Sequence, residues 1–497
     1  MPVVHPVIVG IGQITYHPEE HSDFLHPLQL GKIAVESAVE DCRCPAVLGQ
    51  ADSVTVINIF SHGYADPAGL FCEMLGIQPR VREYTAIGGN TPQWLVNRTA
   101  DRVARGEISV AVLVGAEAMH NAPAETRDNW LQDLAASGGL EMVGDTRWGS
   151  TPHEMLHHAR YPLEIYPLYE NALRAARGMS IDENRAFLAE YCAGFSKIAS
   201  ENPRAWFRKA RTGDEIGTVT QRNRMVNFPY TKYMNPIMNV NQAAAAVMMG
   251  TDTARKLGIP KGKWVYLHGG ADGTDKWFLS ERSDFTSSPV VREVSASCLS
   301  MAGREIGEMD LFDLYSCFPS ATLLQARELG LNLEKLPPLT MTGGLAYFGG
   351  PGNSYTLHAI VEAVERLRNR PEKFAFISAL GWYFTKFSAG IYSGQEPGRP
   401  WDRKGQAGLQ KKLEARQGPT LNMAPKGTAT VEAYTVMHDR KGEPDYAVLV
   451  ARLENGERCW AMTGKDPDLF KAMEEEEFVG KKGQVTPGGD APNIMTF

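Results

Sequence analysis

A chain of 497 residues, at roughly 150 residues per domain, has room for about three domains. Its 43% apolar and 22% charged residues exclude a disordered chain, a fibre or a coiled coil, and a net charge of -7 gives it no electrostatic reason to seek nucleic acid or an anionic membrane. Seven cysteines, odd in number and thinly spread, suit a reducing compartment rather than a disulfide framework.

The segment Val3-Val4-His5-Pro6-Val7-Ile8-Val9-Gly10 reads as a buried strand running into a glycine turn, without the basic start of a secretory leader. No apolar run reaches membrane-spanning length, and Met495-Thr496-Phe497 is no peroxisomal address, so a cytoplasmic enzyme is expected. Gly88-Gly89-Asn90-Thr91-Pro92 then gives a glycine turn and a helix start, with Thr91 as N-cap. A helical pattern to Gly106 and the apolar strand Val110 to Ala116 follow. Residues 121–220 are polar, helical in pattern and without a clear strand run, the texture of a lid between core elements. Within them His153-Glu154-Met155-Leu156-His157 fits the HExxH pattern of zinc peptidases. It follows the breaker Thr151-Pro152 and lacks an apolar helix face, so packing histidines are the better reading.

Further along, Asp310-Leu311-Phe312-Asp313-Leu314-Tyr315-Ser316-Cys317-Phe318-Pro319 is a strand that delivers Tyr, Ser and Cys to a strand-to-helix corner. A phenol there can exchange protons, and a thiol at a helix N-terminus is expected to have a lowered pKa. Gly349-Gly350-Pro351-Gly352-Asn353-Ser354, with the helical run to Leu367 and the strand Phe374 to Gly381, repeats the earlier turn, helix and strand. The repetition implies two similar α/β halves whose glycine turns face one cleft, where helix N-termini favour an oxyanion. Residues 395–427 are rich in Gly, Pro and Lys and read as a linker. Beyond them the β-rich runs Thr428 to Val436 and Tyr446 to Leu453, the hairpin signal Asn455-Gly456 and the helix start Asp466-Pro467 indicate a small barrel of OB type.

The glycine turns and the Tyr315 to Phe318 corner, in this order, resemble the thiolase superfamily, and within it the thiolase-like proteins of type 1, which carry an extra C-terminal domain. The resemblance implies a duplicated five-layered α/β/α/β/α fold with a helical loop domain and a C-terminal OB-like β domain. It divides the chain into 1–120 and 221–285 (first half), 121–220 (loop domain), 286–400 (second half), 401–427 (linker) and 428–497 (barrel). The family's nucleophilic cysteine falls on Gly89, and Tyr315 takes the place of a His or Asn. Ser316 stands at the acidic position, while Cys317 and Phe318 match. The Gly-His-Pro motif appears as Gly349-Gly350-Pro351, and the last cysteine is missing near Ala379-Leu380-Gly381. Asn235 to Gln242 resembles the segment that closes the loop domain, which implies a small-residue helix over Ala243 to Ala246. Asn241 is expected in a core hydrogen bond and His268 in a turn.

On this resemblance the substrate is a coenzyme A thioester, with no tightly bound cofactor and no metal. The acyl-CoA chemistry is of Claisen or retro-Claisen type, the alternatives being retro-aldol cleavage of a β-hydroxyacyl-CoA and acyl-CoA binding without catalysis. Tyr315, Cys317 and Tyr383 are the catalytic candidates, with Tyr355, His358 and Lys386 as further acid–base groups. Gly89, Asn90, Gly350, Asn353 and Ser354 are the candidates for holding the thioester oxygen. A monomer or a homodimer is expected, without nucleic-acid partners or a membrane span.

Overall fold

The computed structural model describes residues 3–122 and 142–497. The strands of the first half are β1 (Pro6–Thr15), β2 (Ser53–Val56), β3 (Val81–Tyr84) and β4 (Val110–Ala118). A short hairpin, β5 (Met225–Asn227) and β6 (Tyr230–Thr231), precedes β7 (Asn241–Gly250). The second half holds β8 (Val265–Thr274), β9 (Leu311–Asp313), β10 (Phe374–Gly381) and β11 (Lys386–Ser393), so by its strands it begins before residue 286, where the sequence division placed its start. In space these give β3-β2-β4-β7-β1 followed by β8-β11-β10-β9, so outward from the junction β1-β7-β4-β2 is matched by β8-β11-β10-β9, with β3 as an added edge strand. Between the halves the sheet is continued by a short β1–β8 ladder, Val7 opposite Tyr266 and Ile8 opposite Val265.

Two helices, Thr91–Ala104 and Tyr355–Asn369, pack against strands of both halves and form the middle layer. Pro27–Cys42 covers the outer face of the first half and Pro289–Ala302 that of the second, which completes five layers. The first outer helix can approach because β1 lacks side chains where it crosses. A Cβ on Gly12 would lie 2.0 Å from the Ala34 carbonyl oxygen.

Two expectations are corrected here. Ala243 to Ala246 lie in β7, not in a helix. The strand is completely buried between β1 and β4 with helices on both faces, so it needs small side chains, and tertiary pairing overrides alanine's helix propensity. The segment 401–427 is not wholly a linker, since it holds the helix Gln406–Glu414 packed on β8. Trp401 Nε1 donates to Asp101 at 2.7 Å, and Arg403 bridges Asp101 and Asp272.

The C-terminal strands are β12 (Gly427–His438), β13 (Pro444–Leu453), β14 (Arg458–Met462), β15 (Lys482–Thr486) and β16 (Ile494–Thr496). They pair in the cycle β12-β13-β14-β16-β15-β12, a closed five-stranded barrel of OB type. Hairpin β5–β6, which follows the loop domain, extends this barrel through Asn227 opposite Met437. Among the described residues no helix is long and apolar enough to cross a membrane.

Candidate active site

The two central helices begin side by side, and polar groups tie their glycine turns together. Gly88 N–H donates to Asn353 Oδ1 at 2.8 Å, Asn353 Nδ2 donates to the Asn58 carbonyl at 3.1 Å, and Thr356 Oγ1 donates to the Gly89 carbonyl at 3.3 Å. The first helix starts at Thr91, with Asn90 as its N-cap residue. That is one residue earlier than the sequence indicates, and no side chain caps the turn.

Into this junction β9 delivers Tyr315. Its N–H donates to Ser378 Oγ at 3.3 Å, and its carbonyl accepts from Gln325 Nε2 at 2.9 Å. The ring stands edge-on to Tyr355, with centroids 5.7 Å apart. A Cβ built on Gly89 would lie 2.2 Å from the Tyr315 hydroxyl and 2.7 Å from the Leu380 carbonyl oxygen. The phenol therefore fills the space a side chain at position 89 would need. Leu380 lies near the end of β10, just before a tight turn in which Trp382 and Phe384 have left-handed φ of 56° and 64°, a cost that surrounding contacts must hold in place. One such contact runs from Tyr166 Oη to the Trp382 carbonyl at 2.8 Å.

Burial decides the protonation of these groups. It pushes the Tyr315 phenol upward, with the neighbouring Cys317 adding to the shift, so Tyr315 is a neutral proton donor at physiological pH. The Cys317 thiol faces Tyr166 and is pushed up to about 12 by burial. The expected lowering by the helix N-terminus is overturned, because desolvation of the thiolate outweighs it. Tyr355 Oη lies 2.7 Å from Thr342 Oγ1 and 3.1 Å from Asp313 Oδ1, and burial raises the Asp313 carboxyl to about 6. His358 Nδ1 lies 2.9 Å from Gln13 Oε1, and burial pushes that imidazole down to about 3. Lys386 passes beside Gly88 and Gly381, hydrogen-bonds the Ile87 carbonyl, and is lowered by burial to about 8.

Other candidate residues have structural partners instead. Tyr383 Oη donates to the Arg160 carbonyl at 2.6 Å and anchors the loop domain. Gly350 N–H donates to the Ile237 carbonyl at 2.8 Å, and Ser354 N–H and Oγ both turn back to the Pro351 carbonyl. With those donors engaged, the second turn offers no oxyanion hole at Gly350 or Ser354, and Asn353 braces the two turns. Asn90 keeps its place by the site, with Nδ2 3.4 Å from Ser388 Oγ and a buried Oδ1 without a hydrogen-bond partner. Asn241 does make a core hydrogen bond, to the Tyr16 carbonyl at 3.2 Å. His268 lies within β8 rather than in a turn.

Two of the three HExxH side chains, Glu154 and His157, are committed elsewhere. His157 Nδ1 lies 2.8 Å from the His153 carbonyl, Nε2 accepts Asn493 N–H at 2.9 Å, and Glu154 accepts Ser280 N–H at 2.8 Å. Among the described residues no group of three His, Cys, Asp or Glu could hold a metal ion. Asn58, Thr356 and Leu380 were not foreseen. Two of them act through main-chain atoms, which carry no sequence signal, and only the topology brings them to the glycine turns. A cavity of about 640 Å3 opens beside Asn90 and Lys386, with Trp94, Gly144, Asp145 and Gln406 on its wall.

Comparison with known proteins gives four likenesses. Residues 408–490 match a family described as the thiolase-like protein type 1 additional C-terminal domain. The crystal structure of a monomeric SCP2-thiolase like protein type 1 from Mycobacterium smegmatis is 32% identical, covers 99% of each chain and superposes with a TM-score of 0.86. The Ltp2-ChsH2(DUF35) aldolase is 19% identical over 78% of this chain and 97% of its own, with a TM-score of 0.58, a likeness of fold alone. Among curated proteins, a probable acetyl-CoA acetyltransferase of Mycobacterium tuberculosis is 27% identical over 128 residues. That match spans 25% of this chain and 30% of the relative.

Proposed function

The chain belongs to the SCP2-thiolase-like protein type 1 family, and from that premise we propose that it acts on acyl-CoA thioesters by acid–base carbon–carbon chemistry without a covalent acyl-enzyme. The observation that carries this reading is the Tyr315 hydroxyl seated in the side-chain space of Gly89. That position corresponds to the family's nucleophile, so a phenol stands where a thiolate would attack. Cys317 is no substitute, because its thiol stays protonated until about 12.

Of the reactions open to such a site, retro-aldol cleavage of a β-hydroxyacyl-CoA fits best. Claisen transfer by the usual two steps needs an acyl-enzyme, whereas the retro-aldol step needs a base for the hydroxyl and a donor for the enolate carbon. Tyr315 is the donor in this reading. The first glycine turn, around Gly89 and Asn90, receives the thioester oxygen at a helix N-terminus. Replacing Tyr315 by Phe should lower turnover of β-hydroxyacyl-CoA by about 10²- to 10⁴-fold. Calorimetric affinity for coenzyme A should stay unchanged, and full turnover in the Phe variant would remove the role.

The second reading, a scaffold that binds acyl-CoA without converting it, draws on the burial of Tyr315 and Cys317, 7% and 8% exposed. Tight binding in calorimetry with no product from any β-hydroxyacyl-CoA would favour it.

A further inference from the structure

We infer that Lys386 is the general base of this site, and that the adjoining cavity of about 640 Å3 receives the carbonyl fragment cleaved from the acyl chain. The inference rests on the retro-aldol reading above. Its grounds are geometric. The amine lies 2.9 Å from where a Cβ on Gly88 would be, and the Tyr315 hydroxyl lies 2.2 Å from the equivalent point on Gly89. The two groups thus address neighbouring residues of one turn.

Lys386 also differs from the other cations around the cavity. Arg98 is paired with Glu83, Arg403 with Asp101 and Asp272, and Lys404 with Asp402. Asp145, the carboxylate whose field reaches Lys386, is itself held by Arg147 at 2.6 Å. The amine hydrogen-bonds a main-chain carbonyl, that of Ile87. Lys386 is only 8% exposed, and burial brings its pKa to about 8, so a usable fraction is neutral near physiological pH. Asn90 Oδ1, buried and without a partner, lies at the same turn. Trp94, Ala86, Val143 and Phe387 give an apolar stretch to a wall that is otherwise largely charged and polar, and a ketone or aldehyde can rest its hydrocarbon body on that stretch.

The step balances without an outside oxidant or reductant. Lys386 takes the proton of the β-hydroxyl, the Cα–Cβ bond breaks, and the β-carbon becomes a carbonyl. The bond's electron pair passes to the thioester enolate, whose α-carbon takes the Tyr315 proton. The Lys386 ammonium then returns its proton to the Tyr315 phenolate through water. The products are a shortened acyl-CoA and a ketone or aldehyde.

The test compares wild type with Lys386→Met and Lys386→Arg on β-hydroxyacyl-CoA, with thermal melts to confirm folding. In wild type, turnover should rise with pH through about 8 and level off above it, as the amine becomes neutral. Both variants should lose about 100-fold or more and no longer show that rise. Arginine keeps a donor for the Ile87 carbonyl and a positive charge but cannot accept the proton. Activity retained in the arginine variant would reduce Lys386 to a prop for the turn and overturn the inference. Wild-type turnover in Lys386→Met with loss in Tyr315→Phe would overturn it while sparing the reading it rests on. Absence of turnover in wild type would overturn both.

Discussion

Gly88 and Gly89 are both absent from the residues with positive φ, so their backbone does not demand glycine, and what they lack is room for a side chain. That distinction can be measured. Gly89→Ala should cost about 1–3 kcal/mol in denaturant melts, the usual scale for overpacking a filled site. In a Tyr315→Ala background the phenol is gone and only the Leu380 carbonyl oxygen, 2.7 Å from the new Cβ, still stands in the way, so the same change should cost clearly less. Additive effects in this double-mutant cycle would show that the two positions do not compete for space. The corner bearing Tyr315 was legible, because a short strand ending in Tyr-Ser-Cys-Phe-Pro has few other readings. The place of Gly89 could be reached from its spacing to Gly106. The interlock between them was not legible, since it depends on β10 placing Leu380 beside both, and a main-chain oxygen leaves no trace in composition.

At the scale of elements, the short helix Pro152–Leu156 shows how a motif can mislead. His157 is buried, with both ring nitrogens in hydrogen bonds, one of them to Asn493 N–H in the barrel domain. Burial holds its pKa down to about 4 against an ordinary 6.5. An unfolded chain takes up this proton as pH falls through 6.5, whereas the folded chain resists until about 4, so stability is lost over that interval as pH falls. Asp313 and Glu117, raised to about 6 and about 7, act in the opposite sense by disfavouring the fold as pH rises. A difference measurement isolates the histidine. His157→Gln should destabilise at pH 8, and the gap from wild type should narrow by about 2 kcal/mol at pH 5. A gap independent of pH would mean that His157 titrates normally in the fold. The alternation of turn, helix and strand in each half was readable because it is local. The strand identity of Ala243 to Ala246 was not, because it is imposed by neighbours distant in sequence, β1 and β4.

For the whole molecule, the question is whether the C-terminal barrel is an appendage or part of one folding unit. Composition separates it by a Gly- and Pro-rich stretch, yet its packing does not. Ala433, Val448, Val450 and Trp460 lie in the same apolar cluster as Tyr169, Leu279, Phe285 and Val290 of the loop domain and second half. Arg458, wholly buried, donates from Nη2 to the Ser283 carbonyl at 3.1 Å and hydrogen-bonds the Arg282 carbonyl. Phe228 N–H, in the turn of the β5–β6 hairpin, donates to the Val436 carbonyl at 2.8 Å, and Asn171 Nδ2 of the loop domain donates to the Tyr434 carbonyl at 2.9 Å. Losing burial of only a few large apolar side chains, at about 1.5–3 kcal/mol each, approaches the roughly 5–15 kcal/mol that holds an ordinary domain folded. Removal would also leave Asn171 and the Phe228 amide without these partners. Calorimetry of the full chain should therefore show one cooperative transition, with van't Hoff and calorimetric enthalpies in agreement. A chain ending at Gly427 should melt at least 10 °C lower or aggregate on expression. A barrel transition separate from that of the thiolase-fold core, or a truncated chain with the full chain's melting temperature, would show that the two parts fold independently and that the shared cluster contributes little.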